Sequence, residues 1–181
     1  MTNKLPKWLT LKCQQCERCP LAYVRRSVVV GKGECPANIM FLGEAPGKSE
    51  DIIGEPFTGV SGRLLNMIID KAEELSKFCA FEYFFTNTIL CHPTNVKGGD
   101  NREPLPAEVA CCSQNIMKIY AQVQPRIVVF VGKFAEKYYK KEFTVNATIL
   151  HPSFILRQGG RSSPLFLQTV RVLSEIMAKL T

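Results

Sequence analysis

Short apolar runs alternate with helix-like segments along this chain, and this alternation constrains its fold more than any other feature. The runs, rich in β-branched and aromatic residues, are Val28–Val30, Ile39–Leu42, Tyr83–Leu90, Ile127–Val131 and Ala147–Leu150. Runs that are apolar throughout predict strands buried on both faces, as in a parallel sheet. The sequence therefore predicts an α/β fold of three layers, α/β/α, with a central, mostly parallel sheet of about four strands flanked by helices.

Helical patterns occupy segments between these runs, and we predict helices from residue 64 to about Lys77, over 106–122, over 132–141 and over 164–180. The first is the most regular, because its apolar residues share one face. Those residues are Leu64, Leu65, Ile68, Ile69 and Ala72.

Length and composition favour a single folded domain over residues 1–181. Apolar residues make up 46% of the chain and charged residues 22%, which excludes a disordered or fibrous protein. No apolar run approaches the ~18 residues that a membrane span needs, and the start, MTNKLPKWLT, lacks a signal-peptide core. We expect a soluble, intracellular protein that is not secreted and has no membrane partner.

The net charge of +7 favours a polyanionic partner, because each phosphate contact releases condensed counterions from nucleic acid.

Eight cysteines are unusual for an intracellular protein, and their spacing is more informative than their number. Cys13, Cys16 and Cys19 form a C-x2-C-x2-C run, while Cys91 and the Cys111–Cys112 pair lie far downstream. Thiolates at such spacing can form a four-thiolate site for zinc or an iron–sulfur cluster. Burial as small hydrophobic side chains is the alternative, and it suits Cys79 and one of the Cys111–Cys112 pair.

Polar clusters follow three of the predicted strands, at the edge where a parallel sheet binds its ligands. They are Gly43–Gly47 (GEAPG), Asn87 with the following Cys91-His92-Pro93, and His151-Pro152-Ser153. None of them matches a phosphate-binding P-loop or a dinucleotide-binding glycine pattern, so a nucleotide cofactor is disfavoured.

Four residues at this edge have side chains suited to a ligand site. Glu44 places a carboxylate in a turn made rigid by Pro46. Phe57, in a glycine- and proline-rich loop, either stacks on a flat ligand or fills the core. Asn87 must bond to backbone or present its amide to a ligand. His151 is either structural or a donor to a developing anion.

At this point the chain resembles the family 4 uracil-DNA glycosylases, the iron–sulfur branch of the uracil-DNA glycosylase superfamily. The resemblance rests on seven motifs in order between Cys16 and about Arg171. They are C-x2-C at Cys16 and Cys19, VVVGKG at 28–33, GEAPGKSED at 43–51, PFTGVSGRLLN at 56–66, TNTILCHP at 86–93, NREPLPAEVACC at 101–112 and HPSFILR at 151–157.

The resemblance implies a 4Fe–4S cluster that is held by four cysteines and ties the N-terminal segment to the fold. The motifs assign Cys16, Cys19, Cys91 and Cys112 as its ligands. Two alternatives stay open, because Cys13 and Cys16 form a rival C-x2-C pair and Cys111 adjoins Cys112.

The resemblance also implies an activity, the removal of uracil from single- or double-stranded DNA to leave an abasic site. The uracil is flipped into a pocket, where Phe57 stacks on it and Asn87 hydrogen-bonds its Watson–Crick edge. Gly43, Ala45 and Gly47 supply backbone contacts to the base.

The motifs assign catalysis and DNA contacts to two further groups of residues. His151 donates to uracil O2 as charge develops there, and Glu44 positions the attacking water, with Asp51 as a second candidate. Ser153, Leu156 and Arg157 contact the DNA around the flipped base.

Two other functions share some of these features. A non-catalytic iron–sulfur DNA-binding accessory protein would keep the fold and the cluster, but it would not need Glu44, Phe57, Asn87 and His151 together. An iron–sulfur electron carrier is disfavoured, because Cys91 and Cys112 lie far from the N-terminal run. We expect a monomer, with replication or repair proteins as further partners.

Overall fold

A five-stranded sheet forms the centre of the fold in a computed structural model, which describes residues 4–76 and 81–180. The elements in chain order are α1 (Lys7–Gln14), β1 (Lys32–Gly33), β2 (Ile39–Gly43), α2 (Lys48–Ile53), α3 (Val60–Ser76), β3 (Tyr83–Asn87), α4 (Pro106–Val123), β4 (Ile127–Val131), α5 (Lys133–Tyr139), β5 (Asn146–Ile149), α6 (Pro152–Arg157) and α7 (Pro164–Ala178). Single 3₁₀ turns lie at Pro20–Tyr23 and Gly160–Ser162.

The sheet has the strand order β1-β3-β2-β4-β5 and is mostly parallel, as the sequence predicts. Strand β2 pairs in parallel with both β3 and β4, and β4 pairs in parallel with β5. Only the two-residue β1 is antiparallel, and it adds a short edge to β3. The carboxyl ends of β2, β3, β4 and β5 therefore lie at one edge.

Helices cover both faces of the sheet, which confirms the three-layer arrangement. On one face, alternate side chains of β2, β3 and β4 pack with α1, α4 and α5 around Met40, Phe84 and Phe130. On the other face, the intervening side chains pack with α3, α6 and α7 around Phe41 and Val129. Every residue of these three strands is buried, which explains why their sequences are apolar except for Thr86 and Asn87 at the end of β3.

The predicted strand at Val28–Val30 is wrong, because regular pairing begins later, with Lys32 opposite Phe85. The valine segment instead makes separate bonds to β3 and to the segment after it: the Val30 carbonyl accepts from Thr86 Oγ1 at 2.9 Å, and Val29 N–H donates to the Leu90 carbonyl at 2.7 Å.

The third predicted strand, Tyr83–Leu90, is also too long, and β3 ends at Asn87. At the next residue, both the N–H and the Oγ1 of Thr88 donate to the Gly43 carbonyl at 2.8 Å. These two bonds turn the chain toward β2 and end the ladder.

The predicted helices are present, and the apolar face of α3 is buried as expected. Lys77 and Cys79 lie outside the described residues. The sequence analysis missed α1, α2 and α6, of which the last two are six residues long, too short to show an amphipathic period.

None of the helices in the described part of the chain is both long and apolar enough to cross a membrane.

We expect Ile68→Ala to lower the free energy of unfolding by about 2–5 kcal/mol, because Ile68 is fully buried between α3 and the sheet. The matched control on the same helix is Leu75→Ala, since Leu75 is 55% exposed and leaves no cavity. Chemical unfolding followed by circular dichroism measures both. Equal losses for the two variants would contradict the assignment of α3's buried face.

Candidate functional site

A cleft of about 390 Å³ lies at the carboxyl edge of the sheet, where the predicted polar clusters meet. Eight of the predicted site residues line it: Glu44, Ala45, Gly47, Phe57, Asn87, His151, Ser153 and Arg157. The parallel register explains this convergence, because the last residues of β2 and β3, Gly43 and Asn87, lie directly opposite each other.

Asn87 presents an unpaired amide to this cleft. Its side chain is only 3% exposed, and its buried Nδ2 has no hydrogen-bond partner among the described residues. Gly43 makes room for it, because a Cβ at that position would collide with Asn87 Oδ1 and with the Phe57 ring. An unpaired buried amide costs about 1–3 kcal/mol, so its orientation toward a cavity indicates a ligand.

Phe57 forms a fixed aromatic wall of the cleft, and its main chain adopts a left-handed conformation with φ of 55°. Its N–H donates to Glu50 Oε1 at 2.6 Å, and Gly47 N–H donates to the other oxygen of the same carboxylate at 2.5 Å. Gly62 lets α3 approach this backbone closely, since a Cβ there would collide with the Phe57 carbonyl. The ring meets Phe85 edge-on, with 5.9 Å between centroids.

His151 is held as the N-cap of α6, where its Nδ1 accepts a hydrogen bond from Ser153 N–H at 3.1 Å. A neutral ring that accepts at Nδ1 carries its proton on Nε2, so Nε2 is the donor available to the cleft. Burial lowers the pKa of His151 below its usual value, and the nearby Arg157 lowers it further. The ring is therefore a neutral donor at pH 7.

Glu44 supplies the carboxylate that follows β2 directly. It is half-buried, and burial raises its pKa above the usual value, with a smaller contribution from the negative charge of Glu103. The carboxylate thus enters a site with a neutral imidazole, an amide and an aromatic ring. Such a set binds a flat polar heterocycle and stabilises charge that develops on it.

Three predicted residues do not line the cleft: Gly43, which adjoins Asn87 and Phe57, and Asp51 and Leu156, which lie elsewhere. Asp51 is buried outside the cleft, where Oδ1 accepts from the N–H groups of Arg26 and Ser27 at 2.9 and 3.1 Å and anchors the segment before β1. Leu156 is half-buried against the α3–α7 core.

Sequence reasoning missed three polar residues that line the cleft: Glu50, Ser61 and Asn101. The position of Glu50, three residues after the turn glycine Gly47, is a helix-capping spacing that could have identified it. Ser61 Oγ lies 2.9 Å from Ser153 Oγ and links α3 to α6. Asn101 has no local signal, because its contact with His92, 2.7 Å between Oδ1 and Nε2, is purely tertiary.

A second candidate site is a small cavity where the N-terminal segment meets the loop after β3 and the start of α4. The cysteines that line it are Cys16, Cys19, Cys91, Cys111 and Cys112. Cys13 is fully buried and does not line this cavity, which disfavours the Cys13–Cys16 pair.

The chemistry around this cavity suits a thiolate-bound group. Burial raises the pKa of Cys91 to about 12, with Arg25 acting in the opposite sense. Burial also acts to raise the pKa of Cys16, but hydrogen bonds and charge from Arg18 lower it overall. Arg18 Nε lies 3.4 Å from Cys16 Sγ, and Arg25 Nη1 lies 3.8 Å from Cys91 Sγ. These cations would compensate thiolate charge.

Within residues 4–76 and 81–180, no three potential ligands lie close enough to share one metal ion. The cysteines of an iron–sulfur cluster bind different iron atoms and need not meet at one point.

Comparison with known proteins agrees with this geometry. The family model described as the Uracil DNA glycosylase superfamily matches residues 30–174 of the chain. The matched span includes Glu44, Phe57, Asn87 and His151.

Individual relatives share the name type-4 uracil-DNA glycosylase. The one from Saccharolobus solfataricus is 36% identical over 132 residues, which are 73% of this chain and 57% of that protein. The one from Archaeoglobus fulgidus is 32% identical over 81% of this chain and 71% of its own length. The one from Thermotoga maritima is 29% identical over 90% and 88%. The matched part thus spans little more than half of the Saccharolobus protein.

We predict that His151 titrates below its usual value of 6.5 and is a neutral Nε2–H tautomer at pH 7. A folded-state pKa below the unfolded one means that protonation opposes folding, so stability falls as the pH drops below the unfolded pKa. Arg157→Gln should raise the His151 pKa by removing a nearby positive charge. ¹⁵N-histidine NMR, assigned with His151→Gln, measures tautomer and pKa. A pKa at or above 6.5, or an Nδ1–H tautomer, would contradict this geometry.

Proposed function

This chain belongs to the uracil DNA glycosylase superfamily, and on that basis we propose that it is a monofunctional DNA repair glycosylase. It hydrolyses the N-glycosidic bond of a uracil flipped out of DNA and leaves an abasic site. The observation that carries this proposal is the unpaired Nδ2 of Asn87, buried beside the Phe57 ring in the cleft.

Asn87 provides the selectivity for uracil. A fixed amide has one acceptor and two donors, so Oδ1 accepts from uracil N3–H while Nδ2 donates to O4. Cytosine presents the opposite polarity at both positions, and binding it would leave buried polar groups unpaired. Such mismatches discriminate strongly, because the penalty falls on a desolvated site. Phe57 stacks on the base, and Gly43, Ala45 and Gly47 bring backbone close to its edge.

His151 and Glu44 divide the chemistry between them. As the glycosidic bond breaks, negative charge grows on uracil O2, and the neutral His151 donates to it from Nε2–H. Removing one such donor typically costs about 2.7–4 kcal/mol in the barrier. Glu44 positions the attacking water and stabilises positive charge on the sugar. We assign this role to Glu44 rather than Asp51, since the Asp51 carboxylate already accepts two backbone hydrogen bonds.

Ser153, Leu156 and Arg157 are the proposed contacts to DNA around the flipped nucleotide. Ser153 and Arg157 lie at the cleft itself, and Arg157 is exposed on the last turn of α6. Leu156 would have to leave its packing against the core in order to enter the gap in the base stack.

We further propose that Cys16, Cys19, Cys91 and Cys112 hold a 4Fe–4S cluster. When bound, the cluster cross-links the N-terminal segment, the loop after β3 and α4, and it takes no part in the hydrolysis. Burial raises the pKa of Cys112, and its neighbours Cys91, Cys16 and Cys19 add to the effect. Three of these thiols, Cys19, Cys91 and Cys112, have pKa values above the usual value and release their protons on binding a cationic centre. Cys111 remains the alternative to Cys112.

We place this activity in one domain over residues 1–181, acting as a monomer inside the cell, where it meets uracil-containing DNA and other replication or repair proteins.

We expect the protein to release uracil from a labelled oligonucleotide, seen as cleavage after alkali, and to leave a thymine control intact. Glu44→Ala should reduce the single-turnover rate by at least about a hundredfold. Since the pKa of Glu44 is raised and the carboxylate form acts, the wild-type rate should fall as the pH drops through that raised pKa. The matched control is Glu175→Ala, an exposed carboxylate on α7. Folded protein that binds DNA but releases no uracil would support the non-catalytic accessory function instead.

We expect Cys91→Ser to abolish the visible iron–sulfur absorbance, to lower the iron content and to decrease the unfolding temperature by several degrees. The control is Cys35→Ser, because Cys35 lies away from the cavity and its hydrogen bond to the Gln122 carbonyl can be kept by serine. A Cys91→Ser protein with full iron content would show that Cys91 is not a ligand.

A further inference from the structure

A second and larger groove, of about 650 Å³, adjoins the cleft on the side of α5 and α7. Its walls are mainly apolar and come from the end of β5, from α6 and from α7, with Ile149, Phe154, Leu165 and Val172 among them. The mechanism proposed above uses none of these four residues. A groove of this size and composition accommodates a base and its sugar.

The groove continues directly from the cleft, because His151 lines both. Phe154 follows His151 closely on α6, where its N–H donates to the His151 carbonyl at 2.9 Å. The Phe154 ring is 40% exposed, an unusual exposure for a phenylalanine in a groove of apolar walls. A nucleotide that leaves the cleft on this side therefore meets an aromatic surface at once.

A basic depression extends the groove on its outer side. Lys133 lines both concavities, and the depression adds Lys137, Lys140 and Lys141. Two carboxylates lie among these four lysines. One of them, Glu136, accepts from Lys140 Nζ at 2.8 Å, and this hydrogen bond lowers the Glu136 pKa. Lys140 thereby compensates the negative charge of Glu136. Because four lysines face two carboxylates, the depression keeps an excess of positive charge.

We propose that this groove binds an unpaired nucleotide next to the flipped uracil, while the basic depression binds the phosphates of the same strand. The inference rests on the proposed glycosylase function and makes its substrate single-stranded DNA. An apolar groove with an aromatic residue beside a basic depression is suited to single strands, because it provides both base stacking and phosphate contacts. A duplex keeps its neighbouring bases stacked inside and offers the groove only phosphates.

The geometry makes this binding directional. The groove continues from the cleft on the α5–α7 side, so it accommodates a nucleotide on one side of the uracil, either 5′ or 3′. A variant that only displaced His151 would slow excision from every substrate equally. Slower excision from one of the two substrates alone therefore identifies a nucleotide site.

The test uses single-stranded oligonucleotides with uracil at the 5′ end or at the 3′ end, uracil-free single strands, and duplexes. Phe154→Ala should weaken single-strand binding about tenfold, as loss of one aromatic stacking partner does. It should slow excision from only one of the two substrates, either the one with uracil at its 5′ end or the one with uracil at its 3′ end. Val172→Glu, on α7 and not on the helix that His151 caps, should do the same by placing a negative charge in the groove.

Lysine variants test phosphate binding by the basic depression separately. Lys137→Gln with Lys141→Gln should reduce the slope of log affinity against log salt by about 0.7 for each phosphate that the variant no longer binds. The control is Lys71→Gln, because Lys71 lies on α3, pairs with Glu74 and does not line the basic depression. It should change neither the slope nor the affinity.

Unchanged single-strand affinity in both Phe154→Ala and Val172→Glu would overturn the inference. So would an equal loss of excision rate for the substrates with uracil at the 5′ end and at the 3′ end. An equal loss of affinity for duplex and single-stranded DNA would also overturn it. Failure of the proposed function is seen separately, as absence of uracil release from every substrate by the wild-type protein. The uracil-free binding measurements still decide whether the groove holds a single strand in that case.

Discussion

The parallel pairing of β2 with β3 is the constraint on which the candidate site depends. Its register places Gly43 opposite Asn87, and the two bonds from Thr88 to the Gly43 carbonyl lock the strand ends together. Because the sheet is buried on both faces, polar side chains are tolerated only where the strands end. The chemistry is therefore concentrated at one edge, on a rigid support.

Rigidity at this edge has an energetic consequence. Asn87 keeps a buried donor unpaired, Phe57 holds a left-handed backbone conformation, and the carboxylate of Glu50 fixes the loop through two backbone hydrogen bonds. Strain and an unsatisfied amide each cost on the order of 1–3 kcal/mol, and the large apolar core on both faces of the sheet offsets them. A cleft that is built in advance does not have to reorganise around its ligand.

The cysteine cavity and the cleft meet through one segment. Cys91 lines the cavity, the adjacent His92 is fully buried, and His92 Nε2 contacts Asn101 at the cleft. A cluster at Cys91 would thus stabilise the loop that contributes Asn101, without itself touching the substrate. The groove lined by Phe154 extends from the cleft toward the lysines of α5.

The amino-acid sequence by itself determined the fold class, the helices with a clear apolar face, and the residue types at the strand ends, because these follow from local periodicity and from burial on both faces. It also indicated Glu44, Asn87 and His151, because they are polar groups at strand ends, and Phe57, because it is an aromatic residue in a glycine- and proline-rich loop.

Only the tertiary structure decided which of these residues meet. It separated Asp51 from Glu44, distinguished the core residue Cys13 from the cysteines that line the cavity, and brought Asn101 to the cleft through His92. It also showed that Val28–Val30 makes separate bonds and does not form a ladder. These outcomes depend on tertiary contacts, whose geometry is set by packing and which no local sequence pattern contains.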